Sequence, residues 1–97
     1  MDRLYVSIPY TGHEKEFPER CRKAHEKYDR EYKVITPADV IRDSSTPYET
    51  CMGKCLEALL TCQYAVFSKG WDESRGCRLE HSACDIYGIR IIYNAGI

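Results

Sequence analysis

Four short apolar runs, separated by stretches in which apolar residues recur every three or four positions, constrain what this chain can fold into more than any other feature. The runs are Arg3 to Ile8, closed by Pro9; Lys33 to Thr36, ended by Pro37; Tyr64 to Phe67, bounded by Lys69-Gly70; and Ile89 to Tyr93. Runs this short and this continuously apolar suit strands buried on both faces. Between the first two, Phe17, Cys21, Ala24 and Tyr28 mark one face of an amphipathic helix within Glu14 to Glu31, where Pro18 is tolerable only near the first turn. Pro37 to Thr46 reads as a polar loop. A second helix, opened by Pro47 and running to about Thr61, gathers Tyr48, Cys51, Met52, Cys55, Leu56, Leu59 and Leu60 on one broad face. Ser74 can cap a third that runs to Tyr87, with Gly88 as its left-handed terminator. The alternation predicts an α/β chain whose parallel sheet is covered by helices on both faces.

At 97 residues the chain holds one domain, spanning 1–97. A formal charge of -1 gives no electropositive field for a polymeric nucleic acid, and no stretch approaches the roughly 20 apolar residues of a membrane span. Six cysteines fall short of a disulfide scaffold, and Met1 leads straight into the first strand with no apolar signal region. The expectation is an intracellular, cytoplasmic chain with free thiols. Neither metal-ligand spacing nor a GxGxxG, GxxxxGK[ST] or GxSxG pattern occurs, so no cofactor is implied.

In open α/β sheets, ligands gather beyond the carboxyl ends of the strands, which directs attention to Pro9–His13, Pro37–Thr46 and Ser68–Ser74. Ser74 followed by Arg75 and Gly76 offers a hydroxyl, free amides and positive potential to an anion, although serine is among the preferred caps and an ordinary helix cap is the readier reading of the spacing alone. Trp71 either stacks on a base or plugs the sheet edge. On the third helix, Cys77, Leu79, Ala83, Cys84, Ile86 and Tyr87 form an apolar arc opposite Arg78, His81, Ser82 and Asp85. Glu80 lies inside that arc. A carboxylate aimed at the sheet needs partners, and the pattern alone leaves structural and catalytic reasons open.

Taken together, Tyr5-Val6-Ser7-Ile8-Pro9-Tyr10-Thr11-Gly12, the stretch from Cys51-Met52 to Leu59-Leu60-Thr61-Cys62, and G-W-x-x-S-x-G-x-x-x-E from Gly70 to Glu80 resemble the nucleoside 2-deoxyribosyltransferase superfamily, in a small bacterial and phage branch. The resemblance implies a flavodoxin-like three-layer αβα fold with a four-stranded parallel sheet in the order 2-1-3-4. It implies cleavage or exchange of the N-glycosidic bond of a deoxynucleoside or its 5′-monophosphate. Glu80 would be the nucleophile and Tyr5 its orienter; Ser7, Thr11, Gly12, Trp71, Ser74 and Gly76 would bind substrate, the last two at the 5′-phosphate. A homo-oligomer, dimer or higher, is implied as well, with Asn94 a candidate for donation to a neighbouring subunit. Four positions depart from the pattern: Cys55 replaces an aspartate thought to assist departure of the base, Gln63 an acidic residue, Ile8 a glycine, and Thr11 an arginine of some relatives. A thiol is a poor acid/base partner at neutral pH. The alternative is therefore a nucleotide-binding module that keeps the cleft without turnover.

Overall fold

Strand β1 (Arg3–Ser7) is the hub of the sheet, because its side chains alternate between two separate cores. The computed structural model describes all of Met1–Ile97. In it β1 pairs in parallel with β2 (Lys33–Ile35) on one side and β3 (Tyr64–Ser68) on the other, and β3 pairs with β4 (Arg90–Asn94). The resulting four-stranded parallel sheet has the order β2-β1-β3-β4, as expected. The chain leaves β1 in one direction to make β2 and then crosses back past β1 to make β3. With right-handed crossovers, that reversal sends the first helix to one face and the later ones to the other.

Helix α1 (Phe17–Tyr28) packs Phe17, Cys21 and Ala24 on Leu4, Val6, Ile8, Val34 and Val66. On the opposite face, helices α3 (Tyr48–Leu59) and α4 (Arg75–Tyr87) place Cys55, Leu59 and Cys84 against Tyr5, Ala65 and Phe67. Helix α1 begins at Phe17 rather than Glu14, with Pro18 in its first turn as its missing N–H requires. Helix α3 begins at Tyr48, so Pro47 is its N-cap. Ser74 caps α4 by accepting from the Cys77 amide, and Gly88 ends it at φ +70°.

Two expectations need correction. The stretch from Pro37 to Thr46 is not all loop, because Pro37–Val40 forms a one-turn helix, α2. Its capping box is built from Thr36 and Asp39, the Thr36 amide and hydroxyl both donating to Asp39 Oδ2 at 2.8 and 3.0 Å. The apolar arc of α4 is also rotated: Leu79, Ile86 and Tyr87 are exposed, while His81 turns inward and stacks on Trp71. Cys77, Glu80 and Cys84 face the sheet.

Candidate active site

Period-two alternation sends Tyr5 and Ser7 to the face covered by α3 and α4, near the carboxyl end of β1. Helix α4 starts just beyond β3 and brings Glu80 down onto them, one turn after Gly76. The Tyr5 hydroxyl donates to Glu80 Oε2 and the Ser7 hydroxyl to Oε1, each at 2.7 Å. Both donors are fully buried and Glu80 is 4 % exposed. Burial raises the Glu80 carboxyl above the usual range, and the bonds from Ser7 and Tyr5 oppose that rise by favouring the ionised form. Burial and the neighbouring carboxylate push the Tyr5 hydroxyl far up, so it stays a donor. Each carboxylate oxygen keeps a lone pair beyond its one donor.

Around this centre the residues singled out in the sequence are dispersed over two loops. Ser74 sits at the N-cap of α4, and Gly76 lies in its first turn. A Cβ on Gly76 would stand 3.0 Å from Met52 Sδ and 3.6 Å from the Tyr48 hydroxyl oxygen, so the first turns of α3 close over the start of α4. Thr11 and Gly12 occupy an exposed turn after β1, where Gly12 adopts φ +83°, a conformation that favours glycine. Trp71 follows β3 in a 3-10 turn (Trp71–Glu73). One of its faces is covered by the His81 ring at 4.3 Å and 11°, and His81 Nε2 pairs with the Tyr93 hydroxyl at 2.7 Å. Asn94 is engaged within its own chain, donating to the Tyr28 hydroxyl and accepting from the Gly96 amide, each at 2.9 Å.

Cys55 projects from α3 beside Tyr5, where burial pushes its thiol up to about 11. Gln63 lies at the other end of the sheet, its side chain accepting from the Arg3 amide at 2.8 Å, so it belongs to the strand start rather than to this cluster. A hollow of about 670 Å³ also opens at that far end between Asp2, Leu60, Gln63, Tyr87 and Arg90, away from Glu80. Sequence reading overlooked Ser68, a fully buried hydroxyl at the end of β3, and Arg20, which bonds to it from α1. Position alone marks them, too weakly to single them out: Arg20 falls on the same helical stripe as Phe17, Cys21 and Ala24, and Ser68 ends an apolar strand.

No helix is long and apolar enough to cross a membrane, and no group of three or more His, Cys, Asp or Glu side chains is arranged to hold a metal ion. No curated protein and no solved structure matches the chain. A family model described as a domain of unknown function, DUF4406, matches residues 2–93, nearly the whole length, and the chain belongs to that family.

Proposed function

We propose that the protein cleaves or exchanges the N-glycosidic bond of a 2′-deoxynucleoside or its 5′-monophosphate, as a member of the nucleoside 2-deoxyribosyltransferase superfamily, with Glu80 as nucleophile. The observation that carries this reading is a buried carboxylate gripped on both oxygens by Tyr5 and Ser7 at the carboxyl end of the sheet. Ionised Glu80 attacks the anomeric carbon as the bond to the base breaks. The electron pair leaves with the base nitrogen, which takes a proton from water. Water then opens the glycosyl ester, returning the carboxylate and releasing the sugar. Tyr5 and Ser7 fix the carboxylate's orientation, the start of α4 with Ser74 and Gly76 takes the 5′-phosphate, and the Thr11–Gly12 turn borders it. Trp71, backed by His81, offers the base an aromatic surface. Tyr48 and Met52 must swing aside to admit the sugar, because they pack over Gly76. A thiol near 11 at Cys55 is a weak proton donor to the departing base, so turnover is slow.

The same thiol favours a second reading, a module that binds the nucleotide without cleaving it. Incubation with a panel of deoxynucleosides and their monophosphates, with free base read by chromatography, separates the two. Base release by the wild type and none by Glu80→Gln supports catalysis. Thermal stabilisation without base, about 2.7 kcal/mol at 100 times the dissociation constant, selects the binding module. Neither effect contradicts both.

The reading extends to a cytoplasmic homo-oligomer acting on a small molecule, with neither a nucleic-acid polymer nor a membrane as partner. Six unpaired cysteines suit a reducing compartment. Five of the eight exposed large apolar side chains, Tyr48, Leu60, Leu79, Ile86 and Tyr87, lie on the α3–α4 layer. They expose on the order of 600 Å², near the ~800 Å² each partner contributes to a standard interface. Leu79 and Ile86 flank the small pair Ser82–Ala83, so a second α4 laid antiparallel sets Leu79 against Ile86 twice.

A further inference from the structure

We propose that Arg20 and Ser68 are positioning residues that hold Ser7, and through it the Glu80 carboxylate, from the opposite face of the sheet. Arg20 lies on α1 and Glu80 on α4, with the sheet between them. The connection is continuous: Arg20 Nη2 donates to Ser68 Oγ at 3.2 Å, Ser68 Oγ donates to the Ser7 carbonyl at 2.8 Å, and Ser7 Oγ donates to Glu80 Oε1 at 2.7 Å. Ser7 is thus tied through its main chain on one side and its side chain on the other, and both serines are within 1 % of full burial.

The chemistry of the link is selective. A serine hydroxyl inside an apolar strand costs stability unless it is bonded, and Ser68 is bonded as both acceptor and donor. No aspartate or glutamate side chain pairs with Arg20. Its guanidinium donates to Ser68 Oγ, to the Lys69 carbonyl and to a main-chain oxygen of Ile97, the last two at 2.7 Å each. A hydroxyl that accepts from a cation becomes a stronger donor, which tightens its hold on the Ser7 carbonyl. Anchoring the loop and the tail accounts for the two main-chain bonds but not for the buried serine between Arg20 and β1.

The titration of Glu80, followed by carbon-13 NMR of its side-chain carboxyl and assigned with Glu80→Gln, tests this without substrate. The other titratable groups that feel its charge are Tyr5, Cys55, Cys77 and Cys84, all raised and therefore neutral at physiological pH. Freeing Ser7 weakens its donation to the ionised carboxylate, so Ser68→Ala and Arg20→Met each move the Glu80 midpoint upward. The double variant moves it by less than the sum of the two single shifts. An unchanged midpoint in folded Ser68→Ala overturns the proposal, as does a shift confined to Arg20→Met, which reports only the loss of a nearby charge. The catalytic consequence rests on the proposed function: Arg20→Met and Ser68→Ala lower kcat for base release about tenfold and leave KM within twofold. A wild type that releases no base removes the function and leaves the titration result standing. Turnover alongside an unmoved midpoint removes the positioning role alone.

Discussion

Glu80 is a carboxyl group at a helix position that faces the sheet, and its chemistry follows from that. Burial favours the neutral carboxyl, so the folded chain holds this proton to a higher pH than the unfolded chain does. Stability linked to the group is full below the unfolded carboxyl pKa and declines as pH rises through the folded one. Glu80→Gln is therefore expected to raise the Tm at pH 7, a gain that shrinks as pH falls and disappears below about pH 4. Thermal unfolding across that range checks it; a lower Tm at pH 7 would make the carboxylate a structural tie. The residue was legible in the sequence because one charge stood among apolar neighbours on a helix. Ser68 was not, because a lone serine at a strand end reads as the start of a turn. Arg20 was hidden because its long stem allows the charge to reach a strand end from an apolar stripe.

At the scale of elements, the strands and long helices follow from apolar spacing, whereas α2 has only four residues and too few turns to show a period. Its signature was instead the capping pair Thr36 and Asp39. The orientation of α4 was misread for a related reason. Apolar residues fill more than half of its circumference, so hydropathy alone does not choose between the sheet and the outer face, and Leu79 and Ile86 fell on the wrong side. His81 looked like a surface residue, yet an imidazole presents a flat apolar face, which Trp71 covers. A second histidine ties elements together: His25 on α1 bonds Asp29 at 2.9 Å and Asp39 of α2 at 2.7 Å. Partial burial pulls the imidazole down, but the two carboxylates outweigh it and leave it raised. That tie stabilises fully below the unfolded histidine pKa and is lost as pH rises through the folded value. Between about pH 6 and pH 8.5, the Tm of the wild type should fall more than that of His25→Gln. Parallel Tm curves would show that the contact contributes nothing.

For the whole molecule, the sheet order was predictable, and it explains why the site forms where it does. Strand order reverses at β1 and β3, the two strands that supply Tyr5, Ser7 and Ser68, so the residues that grip Glu80 come together at the switch point. What the sequence did not disclose is how tightly α3 closes over α4, because helix approach depends on Met52 and Tyr48 meeting Gly76 in space. The outer surface of the same two helices is the proposed contact between copies. Sedimentation equilibrium should find a dimer or larger assembly that Leu79→Asp combined with Ile86→Asp converts to a folded monomer; a wild-type monomer at high concentration would contradict it. The central claim is that Glu80 bonds covalently to the sugar. Acid-quenching the protein during incubation with a 2′-deoxynucleoside 5′-monophosphate, followed by peptide mass spectrometry, tests it most directly. The expected product is a carboxylic ester joining Glu80 to the anomeric carbon of 5-phospho-2-deoxyribose, missing from Glu80→Gln; base released with no adduct on Glu80, or an adduct on another side chain, would contradict it.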